Sequence, residues 1–341
     1  MYSKVIVPLD GSELSERSLP YARLIAGALS LPIELVEAFD VLPPAMHAAS
    51  AMFATERMLE EARTQSGHYL ERVRTELRGM GFAATATTLP GAPAPAIVDW
   101  VGDDPEALVV MSTHGRGGIA RWALGSVADK VLHSIPNPVL LIRGNAGKAP
   151  AAIEPKAVLV PLDGSTLSEL SLEHAATMAA ALRSRIVLLR INPDAELYRQ
   201  YLSPAARGAD AEAESDWASI EELTQADADD ARMSLERAAQ RLANECHFPG
   251  NVALRSVESR NVAEAIVDMA ASEQAMPVMT THGRSGINRL VLGSVTDRVV
   301  RHSDVPVLVV RQAHTPAHTG VELPIHAADT LNFDGIAAQP T

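Results

Sequence analysis

Thr113-His114-Gly115-Arg116-Gly117-Gly118-Ile119-Ala120-Arg121-Trp122-Ala123-Leu124-Gly125-Ser126-Val127 returns later in the chain as Thr281-His282-Gly283-Arg284-Ser285-Gly286-Ile287-Asn288-Arg289-Leu290-Val291-Leu292-Gly293-Ser294-Val295. Eleven of the fifteen positions are identical. Each block follows a strand-like apolar run (Leu108 to Met111; Val278 and Met279) and precedes a helical pattern. Small residues at a strand-to-helix turn leave backbone N–H groups free to point at an anion, and a helix N-terminus favours negative charge there. The sequence therefore predicts a phosphate-binding loop, in duplicate.

The duplication runs outward from the loop. Val5-Ile6-Val7-Pro8-Leu9-Asp10-Gly11-Ser12 matches Val158-Leu159-Val160-Pro161-Leu162-Asp163-Gly164-Ser165. Asp163 lies 153 residues after Asp10 and His282 lies 168 after His114, so the second copy holds 15 more residues between the two signatures. A period this long marks tandem domains rather than a solenoid. The predicted domains are 1–144 and 155–312, joined by a Gly-, Ala- and Pro-rich linker from Gly144 to Pro155. Residues 313–341, without periodicity, read as a flexible C-terminal tail.

Within copy one, short apolar β-branched runs at Val5 to Leu9, Ile33 to Ala38, Phe82 to Thr88, Ala107 to Ser112 and Val139 to Arg143 predict five strands. Helical spacing separates them: a segment from Ser12 to Leu29 in which Pro20 forces a kink or a late start, an amphipathic helix from Glu56 to Arg78, a helix around Ala94 to Val101, and another from Ser126. Copy two repeats the order with strands at Val158 to Leu162, Ile186 to Ile191, Val252 to Val257, Val278 to Thr280 and Val307 to Arg311. The acid-rich segment from Asp194 to Asp230 holds the extra residues and reads as a solvated loop plus helix. Alternating strands and helices with short connections predict an α/β fold of right-handed βαβ units, each sheet parallel and covered on both faces.

The net charge of −13, from 42 acidic and 29 basic residues, argues against a general nucleic-acid binder. No apolar run reaches the length of a membrane span, and Met1-Tyr2-Ser3-Lys4 leads straight into a strand. A single cysteine, Cys246, excludes a disulfide framework. Together these predict a cytoplasmic protein without nucleic-acid or membrane partners.

Two nucleotide loops are absent. There is no G-x-x-x-x-G-K-[ST], and Gly115 and Gly117 are not followed by the third glycine of G-x-G-x-x-G. What recurs is Gly115, nine residues, then Gly125-Ser126, and likewise Gly283 before Gly293-Ser294. Ser126 with Asp129, and Ser294 with Asp297, predict capping boxes at the helix starts. His114 and His282 lack a sequence-adjacent carboxylate or nucleophile and read as loop-positioning rather than catalytic. His314 and His318 alone do not make a metal site.

Asp10 after the first strand, the Gly115 to Ser126 spacing and the endings at Arg143 and Arg311 closely resemble the universal stress protein family, in the tandem form of its ATP-binding branch. The chain departs from the family signature G-x2-G-x9-G-[ST] in having Ser112 and Thr280 at the first glycine. The resemblance implies two Rossmann-like (adenine nucleotide alpha hydrolase-like) domains, each a five-stranded parallel sheet of order 3-2-1-4-5. Ligands of such sheets sit where strand order reverses, at the ends of strands 1 and 4. Carried over to this chain, Asp10 and Asp163 would face adenine or ribose. Pro8, Pro161, Ala38 and Ile191 would line the adenine slot. Ser112, Thr113, His114, Gly115, Arg116, Gly117 and Gly118 would wrap the phosphates, as would Thr280, Thr281, His282, Gly283, Arg284, Ser285 and Gly286. Gly125, Ser126 and Val127, with Gly293, Ser294 and Val295, would close the phosphate end.

The expected function is a nucleotide-dependent stress-response regulator that binds ATP, with or without Mg2+, and has no strong catalytic activity. The alternative is a slow ATPase or nucleotidyl-transfer enzyme on the same fold; a third reading leaves one copy as a ligand-free scaffold. The domains are expected to pair through their fifth strands, with a homodimer of the tandem chain left open. Copy two is expected to bind more weakly. Ser285 replaces Gly117 there, and Pro277 lies inside what should be central strand 4, where proline forfeits a ladder hydrogen bond unless it starts the strand; either change could shift the loop that follows.

Overall fold

The computed structural model describes residues 2–40, 56–113, 124–143, 154–202, 213–281 and 292–311. Most of the linker, the tail and the irregular stretch after Asp40 lie outside the described residues. The first half runs β1 (Val5–Leu9), α1 (Glu13–Glu16), α2 (Ser18–Leu29), β2 (Ile33–Phe39), α3 (Glu56–Gly79), β3 (Ala84–Pro90), α4 (Pro93–Gly102), β4 (Leu108–Ser112), α5 (Ser126–Ser134) and β5 (Val139–Ile142). The second runs β6 (Ala157–Pro161), a 3-10 turn (Ser168–Leu170), α6 (Ser171–Ala181), β7 (Arg185–Asn192), α7 (Ala195–Leu202), α8 (Ala213–Asn244), β8 (Val252–Glu258), α9 (Val262–Ser272), β9 (Ala275–Thr280), α10 (Ser294–His302) and β10 (Val307–Val310).

Among the described residues, ten strands form one sheet, ordered β3-β2-β1-β4-β5-β10-β9-β6-β7-β8. Each half is parallel internally and has the order 3-2-1-4-5. At the middle, β5 and β10 pair antiparallel, with Leu141 opposite Val307, Leu140 opposite Leu308 and Val139 opposite Val309. The two fifth strands thus remove each other's open edge.

The central strands are apolar on both faces because helices cover both. One layer packs α2, α3, α6 and α8 on Val5, Val7, Leu140, Leu308 and Val310; the other packs α4, α5, α9 and α10 on Ile6, Val109, Val139, Leu141 and Val309. Each layer crosses the β5/β10 seam without interruption. The arginines that end the fifth strands cross it too. Arg143 Nη1 donates to the His302 carbonyl (3.3 Å) and pairs with Asp304 (2.9 Å). Arg311 Nη1 donates to the carbonyls of His133 (2.5 Å) and Ile135 (3.2 Å). Each guanidinium therefore closes the C-terminal end of the other half's last helix, where carbonyls lack helical partners and cations are favoured.

Three local readings change. Pro20 marks a late start: Ser12 caps the short α1, the chain turns at Arg17, and α2 begins at Ser18 with the proline in its first turn. Pro277 lies inside its strand, as expected, but the strand starts earlier than Val278: β9 begins at Ala275. The equivalent Val109 donates its N–H to the Pro138 carbonyl (3.0 Å), a bond that Pro277 cannot make. The strand survives because Leu159 pairs with Pro277 on one side and Leu308 with Val278 on the other. Much of the second half's extra chain lengthens the helix facing β7 and β8, since α8 has 32 residues where α3 has 24.

A half-buried polar contact also joins the halves. The Tyr2 hydroxyl lies 2.7 Å from His174 Nδ1 on α6. Burial pushes the His174 imidazole down from 6.5 to about 4, so it accepts as a neutral ring. A histidine depressed in the folded state is protonated first in the unfolded state, so acid destabilises the fold across the window between those values. Stability should fall by up to about 3 kcal/mol as pH drops from about 6.5 to about 4. Denaturant titrations across that window should show a flatter profile for His174→Gln, which accepts from Tyr2 without titrating; an unchanged slope would remove His174 as the source.

Candidate functional site

The sheet opens where its strand order reverses. β1 stays paired with β2 along its whole length, from Val5 opposite Ile33 to Leu9 opposite Glu37. Its pairing with β4 stops after Ile6 opposite Val109. Val5 donates to the Pro32 carbonyl, so Val5, Val7 and Leu9 direct their backbone groups to β2, while Ile6 and Pro8 direct theirs toward β4. Pro8 therefore stands where β4 has already left, and its missing N–H costs no ladder bond. The second half repeats this: β6 pairs with β9 only as far as Leu159 opposite Pro277, and Leu162 donates to Leu189 on β7, turning Pro161 toward the opening. Ala38 and Ile191, at the ends of β2 and β7, are half-buried beside these crevices.

Asp10 and Asp163 sit at the mouths of the crevices. Asp10 Oδ1 accepts from the backbone N–H (3.0 Å) and the hydroxyl (2.6 Å) of Ser12; Asp163 Oδ1 accepts from Ser165 at the same distances. The turn is tight because Gly11 and Gly164 hold φ of 75° and 80°, where a side chain would be strained. One oxygen of each carboxylate thus fixes the turn after the first strand.

The far wall is the start of the fifth-strand helix. Thr113 donates to the Ile142 carbonyl (2.8 Å) and its own carbonyl accepts from Gly125 (2.7 Å). Thr281 donates to Val310 (3.1 Å) and accepts from Gly293 (2.6 Å). Both loops therefore leave and re-enter through a hydrogen-bonded neck, and Pro277 leaves that neck unchanged. Ser112 and Thr280 end β4 and β9 just below it. The loop residues themselves, His114, Gly115, Arg116, Gly117 and Gly118 with His282, Gly283, Arg284, Ser285 and Gly286, lie outside the described residues.

The expected capping boxes are absent. Gly125 and Gly293 are the N-caps, in extended conformation, and neither helix has a side-chain cap bond. Asp129 and Asp297 donate their N–H to the glycine carbonyls at 2.8 and 2.9 Å, so the serines occupy the first helical position. Ser126 and Ser294 are exposed, while Val127 and Val295 pack partly into the lower core layer. The reason is geometric: a serine caps only from the extended residue before the helix, and glycine holds that place. The hydrogen bonds from Gly125 to Thr113 and from Gly293 to Thr281 set the N-terminal turn of each helix at the C-terminal end of β4 or β9.

Sequence reasoning missed a charge difference between the halves. Buried Glu37 on β2 accepts from Ser66 (2.9 Å), whereas the equivalent Arg190 on β7 donates to the Leu162 carbonyl (3.4 Å) and lies 3.6 Å from Asp230. Aligning the copies at the 153-residue offset exposes it. Cavities of about 360 and 420 Å³ lie elsewhere, between α2 and α3 and between α6 and α8, and include none of the expected site residues. Cys246 borders the second; burial pushes its thiol up, away from nucleophilic behaviour. Among the described residues no cluster of three carboxylate, imidazole or thiolate groups is placed to hold an ion, and no helix is long and apolar enough to cross a membrane.

The duplicated strand–crevice–neck arrangement has counterparts. The model of the universal stress protein family matches residues 1–143 and 155–311. A universal stress protein of Mycobacterium tuberculosis is 31% identical over 222 residues, which span 65% of this chain and 66% of that protein, just under two thirds of its length. One from Mycolicibacterium smegmatis is 26% identical over 310 residues, 90% of this chain and 96% of the relative. A solved universal stress protein from Archaeoglobus fulgidus superposes with a TM-score of 0.58 at 18% identity, covering 91% of this chain and 97% of that one. With the family model matched once in each half, on the strands and helices that build the two crevices, this chain belongs to the universal stress protein family.

Proposed function

We propose that this protein binds ATP at the two crevices and acts as a nucleotide-dependent regulator in a stress response. The observation that carries the reading is the pairing, in each half, of a splayed β1/β4-type opening with an uncapped helix N-terminus at its end. The opening, floored by Pro8 and Ala38 or by Pro161 and Ile191, suits a flat base. Asp10 and Asp163 offer carboxylate oxygens to ribose or amine donors. Gly125-Ser126 and Gly293-Ser294 offer N–H and hydroxyl groups to phosphates, favoured by the helix dipole. Loop residues Gly115 to Gly118 and Gly283 to Gly286, with Arg116 and Arg284, would complete the phosphate cradle. Mg2+, when present, would travel with the phosphates and neutralise part of their charge.

Binding rather than turnover is the favoured activity. The carboxylates nearest the crevices are engaged in holding their own turns, which suits them to positioning more than to proton transfer. Denaturing the purified protein and chromatographing the supernatant separates the readings. Bound ATP, with negligible ADP formation over hours, is expected; ADP accompanied by steady turnover would favour the enzyme.

Ser126→Glu and Ser294→Glu test the assigned phosphate end without touching either loop. A carboxylate in the first helical turn complements the dipole, so melting temperature should hold or rise slightly. The same charge repels a phosphate. Calorimetric titration of the stripped protein should show each single variant weakening one binding step by about tenfold or more, and the double variant weakening both. Unchanged affinities in the double variant would place the nucleotide elsewhere.

A further inference from the structure

A contact across the seam reaches the second crevice and has no counterpart at the first. His133, in the last turn of α5, lies with Nδ1 2.6 Å from the Asp129 carbonyl of its own helix. Its Nε2 lies 3.2 Å from the backbone nitrogen of Leu292, in the other half. A carbonyl only accepts and a backbone N–H only donates, so both bonds form together in one state alone: a neutral ring with the proton on Nδ1. Leu292 immediately precedes Gly293, the N-cap of α10, and its side chain is buried in the lower core layer.

The equivalent of His133, 168 residues on, is Arg301. Arg301 turns back along α10 and pairs with Asp297 at 2.8 Å. A guanidinium has no acceptor, so it cannot take the N–H of Leu124, the residue equivalent to Leu292. One His-to-Arg difference makes the contact unidirectional.

We propose that His133 is a positioning residue for the second crevice, holding the start of α10 from the neighbouring half while its ring is neutral. Protonation would place a hydrogen on Nε2, opposite the Leu292 N–H, and the contact would be replaced by repulsion. Asp129 Oδ1 lies 3.7 Å from Nδ1 on the same helix, and Arg311 from β10 holds the His133 carbonyl. The contact supports the start of α10 alone, so the two sites of one tandem chain differ in what holds them.

The proposal rests on the assignment of Gly293 and Ser294 to a nucleotide site, but its first readout needs no nucleotide. Amide exchange at Leu292 in the full chain, corrected for intrinsic rates, should be about tenfold slower in the wild type than in His133→Arg, which offers no acceptor. His133→Gln, whose amide oxygen accepts, should exchange as slowly as the wild type, and Leu124 should be the same in all three proteins. In ATP titrations, His133→Arg should weaken only the step abolished by Ser294→Glu, severalfold, and His133→Gln should restore it. Equal Leu292 exchange in wild type and His133→Arg overturns the proposal, as does altered exchange with an unaltered second ATP step. If ATP fails to bind even the wild type while the exchange pattern holds, the positioning role stands and only the nucleotide reading falls.

Discussion

The antiparallel pairing of β5 with β10 is the constraint from which the rest of the molecule follows. A five-stranded parallel half ends in an apolar strand, and such an edge invites another strand. Closing the two edges on each other produces one ten-stranded sheet with two continuous core layers. It also places the last helix of each half within reach of the other's final arginine. Contacts such as His133 with Leu292 exist only because this seam fixes the two helices side by side.

The crevices follow from a different constraint. In a parallel sheet whose order reverses, the first and fourth strands feed helices on opposite faces and must part at their C-terminal ends. Pro8 and Pro161 occur where this parting leaves no ladder partner, so the sequence tolerates proline in what is otherwise a central strand. Pro277 is the contrasting case: it sits inside β9, gives up a bond that Val109 makes, and is accommodated because its flanking registers hold. The necks at Thr113 and Thr281, just beyond these strands, carry the same hydrogen bonds in both halves.

Much of this was legible from residues alone. The duplicated turn after Val5 to Leu9, the apolar runs and the Gly125-Ser126 spacing specify the order of elements, because strand alternation and turn chemistry are local properties. Boundaries slipped by one to three residues where strand ends depend on partners, as at Ala275 and Ala84. The capping boxes at Ser126 and Ser294 were misread because sequence spacing cannot say which of two adjacent small residues adopts the extended conformation. Glu37 against Arg190, and His133 against Arg301, went unread for another reason. They matter through contacts with residues on other strands or in the other half, and only a copy-to-copy alignment would have drawn attention to them.

The most direct test of the account is where ATP touches the protein. Amide resonances should be followed in the full chain, stripped of nucleotide, as ATP is added. The account predicts the largest shifts at Gly11 and Ser12, at Gly125 and Ser126, and at their counterparts Gly164, Ser165, Gly293 and Ser294. Shifts concentrated instead along the grooves between α2 and α3 or between α6 and α8, with those glycines and serines unmoved, would contradict it.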